Sequence, residues 1–131
     1  MTRTKLLSAN ENDTLLLQYI SRSLLDLGFR LKLKGFIYTK EAIYLYTKFL
    51  SVNSISKNIY SEIAKKYNVS VTSIDCSIKK SIESAWHSDK LNKANMLFKC
   101  SCIKFAYPPT NSEFIATMAE IIKIATKKEQ F

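Results

Sequence analysis

The residues best placed for chemistry lie between Val71 and Trp86, where Thr72, Cys76, Lys79 and Glu83 recur at helical spacing. At roughly 100° per residue they share one face of a helix, with Ser73, Asp75 and Lys80 on its flanks. Ile74, Ile78, Ile82 and Ala85 form the opposite stripe, joined by Trp86. Hydroxyl, carboxylate, thiol and ammonium groups held outward on a buried apolar ridge can meet the donors and acceptors of base edges, so this face is expected in the major groove of DNA.

Such a helix needs a partner to fix it, and Ser61–Tyr67 supplies one. Ile63, Tyr67 and Val69 continue the apolar set, and Ala64 is small where the second helix must cross close to the first. Asn68 suits the corner, being among the few residues other than glycine that tolerate a left-handed backbone. Ser70 follows as the N-cap of the second helix. The stretch 61–86 therefore reads as a helix-turn-helix. An ordinary helical hairpin with a solvated outer face has the same periodicity. The small residue, the corner, the cap and the basic balance favour DNA.

The chain of 131 residues is 47% hydrophobic, which suits one domain spanning 11–131, with 1–10 as a flexible basic arm carrying Arg3 and Lys5. Two glycines and two prolines leave little for tight hairpins and favour long helices. Twenty basic against 11 acidic residues give a net charge of +9, a field that attracts polyanions without choosing among them. No apolar run reaches the roughly 20 residues of a membrane span, and the N-terminus lacks the features of a secretory signal, so a cytoplasmic protein without membrane association is expected.

Around the central pair, Asn12 or Asp13 can cap a first helix that runs to about Leu27, buries Leu17, Ile20, Leu24 and Leu27, and stops at Gly28. FRLKLKG, residues 29–35, alternates apolar and basic side chains and reads as an extended linker broken by Gly35. A second helix is expected from Phe36 to about Leu50. A polar connection then leads to a turn around Ile55, Ile59 and Tyr60. A loop and a short helix with Leu91, Ala94, Met96, Leu97 and Phe98 follow Trp86. An extended passage through Pro108 and Pro109 precedes a last helix opened by a Thr110–Glu113 capping box.

Catalysis has little footing. His87 is the only histidine, no glycine-rich elbow surrounds a serine, and neither Gly28 nor Gly35 belongs to a nucleotide-binding loop. Cys76, Cys100, Cys102 and His87 make a nominal zinc set, but a continuous second helix would separate Cys76 from His87 by about 16 Å. Buried or inert thiols are expected, and no metal or cofactor.

Several blocks, LKLKGFIYTKEAI, SISKNIYSEIAKKYN, SIKKSIESAW and PPTNSEFIATMAE, resemble in order and spacing the C-terminal DNA-binding effector domain of the stage-zero sporulation response regulators. The resemblance extends from about Leu24 to Ile122. It implies an all-α compact bundle of about six helices, of the winged-helix-like effector class without a clear wing. It also implies double-stranded DNA as partner, adjacent copies or a homodimer on repeated boxes, and contact with the RNA polymerase sigma subunit. The segment from His87 to Phe98 is the polymerase contact by the same analogy, with a core-closing helix as the other reading.

In that family the positions of Ser73, Cys76 and Lys79 carry arginine, that of Asp75 glutamate and that of Lys80 histidine. An arginine fork on guanine is worth about 1–3 kcal/mol of discrimination. Serine and cysteine cannot form it, and lysine offers a point charge. Base reading by Thr72, Ser73, Asp75, Cys76 and Lys79 is therefore expected to be altered or relaxed, with more reliance on phosphate contacts from Lys65, Lys66, Ser70 and Lys80. A relative that pairs with a full-length member or the polymerase and no longer reads bases is the alternative. Family members also place a receiver domain ahead of this one, where this sequence has only a short arm.

Overall fold

The computed structural model describes the backbone of residues 2–48, 59–91 and 107–130, and the side chains of 13–48, 59–91 and 107–126. Its described residues are all-helical: α1 Thr2–Asp26, α2 Lys34–Lys48, α3 Tyr60–Tyr67, α4 Val71–His87 and α5 Asn111–Gln130. That is one helix fewer than expected. The short helix expected after Trp86, with Leu91, Ala94, Met96, Leu97 and Phe98, lies outside the described residues except for Leu91, a fully buried side chain. The expected contributions of Ile55, Phe49 and Leu50 also lie outside the described residues, as do Cys100 and Cys102.

Helix α1 starts ahead of the expected Asn12 or Asp13 cap, so the stretch foreseen as a loose arm is helical from Thr2. It contains no proline or glycine, and Lys5, Leu6, Leu7, Ala9 and Glu11 are good helix formers. Its far end behaves as foreseen. Gly28 adopts φ +98°, its N–H bonds the Leu25 carbonyl, and the Phe29 N–H reaches the Leu24 carbonyl at 2.9 Å. This Schellman closure satisfies carbonyls that a helix end leaves open.

The FRLKLKG stretch is a turn, not an extended linker. Phe29 is buried and stacks on Phe114 at 5.1 Å, Leu31 is 66% exposed, and the Leu33 N–H bonds the Arg30 carbonyl. Apolar alternation failed as a signal of extended backbone because Phe29, Leu31 and Leu33 answer to different surroundings. Gly35 does not break the chain either; it is the second residue of α2 and lies where α2 crosses α4.

The core is built on α2, which packs against α4, α5 and α1. Ile20 and Leu24 of α1, Leu27 just past its end, Ala42 and Ile43 of α2, and Phe114, Ile115, Met118 and Ile122 of α5 surround Ile63, Ile74, Ile78 and Ile82. Each fully buried isoleucine contributes about 1.5–3 kcal/mol relative to exposure. The capping box of α5 is closed in both directions, Glu113 N–H to Thr110 Oγ1 and Thr110 N–H to Glu113 Oε1 at 3.0 Å. No described helix is long and apolar enough to cross a membrane.

Candidate nucleic-acid interface

Helices α3 and α4 meet at a corner whose local chemistry matches the sequence. Asn68 is left-handed, φ 55° and ψ 49°, and the Val69 N–H returns to the Ala64 carbonyl at 3.1 Å. Ser70 is extended and its Oγ accepts from the Ser73 N–H at 3.1 Å, capping α4. Ala64 is partly buried against the core, consistent with a close crossing.

Along α4 the two faces separate cleanly. Ile74, Ile78, Ile82 and Ala85 are no more than 1% exposed, whereas Thr72, Ser73, Asp75, Cys76, Lys79, Lys80 and Glu83 all face solvent. Lys65, Lys66 and Ser70 are exposed as well. Cys76 is an exposed thiol on the outward face where helical phase puts it, so of the two readings, buried or inert, burial does not apply to it. The helix is continuous from Val71 to His87, which keeps Cys76 and His87 apart, and no group of three metal-binding side chains occurs among the described residues.

The expected site residues differ in how far they are committed to the protein itself. Thr72, Cys76, Lys65, Lys79 and Lys80 make no ion pair or side-chain hydrogen bond among the described residues. Ser73 receives a hydrogen bond from Ser70 Oγ on its hydroxyl at 3.0 Å, so its side chain belongs to the cap. Lys66 Nζ lies 2.7 Å from Glu41 Oε2 and 5.5 Å from the centre of the Tyr67 ring. Tyr67 donates to the same Glu41 oxygen at 2.9 Å. Asp75 is held from α5: the Asn111 side-chain amide donates to its backbone carbonyl at 2.9 Å and to Oδ1 at 3.0 Å.

Glu41 and Asn111 were not singled out in the sequence. They stand 26 residues from Tyr67 and 36 from Asp75, beyond the reach of helical periodicity. Asn111 follows the recognisable Thr110 cap, but nothing local says which helix its amide will meet. Asp75, Lys79, Glu83, Pro108, Thr110 and Asn111 together line a surface depression between α4 and the start of α5.

Two tyrosines behind this surface titrate late. Burial pushes Tyr67 up to about 12, helped by its hydrogen bond to Glu41 and by the Glu41 charge. Burial likewise pushes Tyr60 to about 12; the nearby Asn111 amide opposes the rise and the Asp75 charge adds to it. The Tyr60 hydroxyl lies close to Asn111 without a hydrogen bond of good geometry.

A small all-helical domain with an apolar ridge turned inward and a polar, lysine-bearing face turned outward has the form of a helical binding module. Residues 20–122 match the family described as "Sporulation initiation factor Spo0A C terminal". The chain belongs to that family, whose members are DNA-binding transcription-regulator domains of sporulation.

Proposed function

We propose that this chain binds duplex DNA as a transcription regulator related to sporulation control, with α3 and α4 acting as a helix-turn-helix and α4 entering the major groove. The observation that carries the reading is the outward set Thr72, Cys76 and Lys79, held on a helix whose other side is anchored by Ile74, Ile78 and Ile82. Thr72, Cys76 and Lys79 approach base edges. Lys65, Lys80 and Ser70 face the phosphates on either side, and Lys66 joins them when it leaves Glu41. Ser73 serves the cap, and Asp75 reads bases only if Asn111 releases it.

With no arginine fork on this face, sequence preference is relaxed and affinity rests on counterion release. Adjacent copies on DNA and a contact with the sigma subunit of RNA polymerase extend the same reading. The test is a fluorescence-anisotropy titration against the family's operator box and a random duplex over a range of salt. Steep loss of affinity with salt on both duplexes, and a small difference between them, supports the proposal. A shallow slope with strong preference for the box contradicts relaxed reading, and no binding to either duplex favours a protein-interaction role for this fold.

A further inference from the structure

The amide nitrogen of Asn111 donates to two acceptors on one residue of another helix, the carbonyl and the carboxylate of Asp75. Asn111 is itself fixed, as the first residue of α5 beside the closed Thr110–Glu113 box. Asp75 is exposed and lies one turn before Lys79 on α4. An acidic side chain four residues ahead of a lysine is the favourable order for a pair on a helix surface. Yet no such pair forms here: the described ion pairs are Lys48–Asp13, Lys66–Glu41 and Lys123–Glu120. The Asp75 carboxylate is turned toward α5, and Lys79 keeps its charge available.

We infer that Asn111 is a positioning residue for DNA recognition, which holds the Asp75 carboxylate away from Lys79 and from the phosphates so that the lysine meets DNA unneutralised. The inference rests on the DNA-binding reading above. Removing the amide frees a carboxylate that captures Lys79 and repels the phosphate backbone. Both effects are electrostatic at an exposed surface and fade as salt screens them.

The experiment compares wild type, Asn111→Ala, Asp75→Asn and the double variant by anisotropy on one duplex at low and high salt, with thermal midpoints measured in parallel. Asn111→Ala is expected to bind about tenfold more weakly at low salt, an effect worth roughly 1.4 kcal/mol. Its defect should narrow at high salt. Asp75→Asn/Asn111→Ala should bind within about twofold of Asp75→Asn, because no carboxylate is left to release. A defect in the double variant equal to that of Asn111→Ala, or one that salt does not change, overturns the inference and leaves the DNA-binding reading intact. An Asn111→Ala variant unfolded at the assay temperature also overturns it, since the tie would then be structural. Failure of the wild type to bind any duplex removes both readings.

Discussion

The backbone of α2 at Gly35 lies directly on the Ser77 carbonyl of α4, with no room for a methyl group between them. Ser81 closes the same gap with its hydroxyl, which is buried and has no hydrogen-bond partner. This close crossing sets the tilt of α4 on α2, and so the direction in which Thr72, Cys76 and Lys79 project.

Gly35→Ala is accordingly expected to destabilise the domain by about 1–3 kcal/mol, the range for overpacking a filled site. Ser81→Ala, in contrast, removes an unsatisfied buried hydroxyl and should be neutral or stabilising by about 1 kcal/mol. Combining them should recover little, because the Ser77 carbonyl is backbone and cannot be trimmed. Urea denaturation of the three variants checks this, and full rescue by Ser81→Ala would show that the Ser81 side chain alone is the obstacle.

Asn68 holds the left-handed corner between α3 and α4 at φ 55°. Asn68→Gly should leave stability within a few tenths of a kcal/mol, whereas Asn68→Ala should cost about 1 kcal/mol through the crowding of Cβ. Thermal midpoints distinguish the two, and equal midpoints would contradict a corner set by backbone conformation.

Much of this corner was legible in the sequence because its signals are local. Asn68, Ser70 and the isoleucines of α4 each declare their role within a turn of helix. Gly35 was misread for the complementary reason: a glycine that breaks a linker and one that admits a neighbouring helix look alike until the neighbour is placed. Glu41 and Asn111, which restrain Lys66 and Asp75, depend on how α2 and α5 pack. The phase of α4 predicted which side chains face outward, but not that two of them, Ser73 and Asp75, already have partners.

Tyr60 and Tyr67 have pKa values raised from 10.0 to about 12 by burial. Groups raised in the folded state contribute stability that is intact below their unfolded values and is lost as pH rises through the folded ones. The domain is therefore expected to lose stability between pH 10 and 12. Tyr60→Phe and Tyr67→Phe should each flatten that loss. Chemical denaturation followed across this window checks it; an unchanged slope in both variants would contradict the assignment.

Because Lys66 is paired with Glu41 and Lys65 and Lys80 are not, the three lysines should contribute unequally to DNA binding. Lys65→Ala and Lys80→Ala should each reduce the salt slope by about one, weakening binding similarly on all sequences. Lys66→Ala should do less, since the lysine must first leave a carboxylate 2.7 Å away. Glu41→Gln should raise the effect of Lys66→Ala toward that of its neighbours. Equal slopes for all three alanine variants in the Glu41 background would contradict this ordering.

The central claim is that the face of α4 around Cys76 meets duplex DNA, and Cys76 offers a direct probe because its thiol is exposed there. The measurement is the alkylation rate of Cys76, resolved from the other cysteines by peptide mass spectrometry, with and without saturating duplex. The account predicts that bound DNA slows alkylation at Cys76 by about tenfold or more. An unchanged rate at Cys76, with DNA demonstrably bound, would place the interface elsewhere on the molecule.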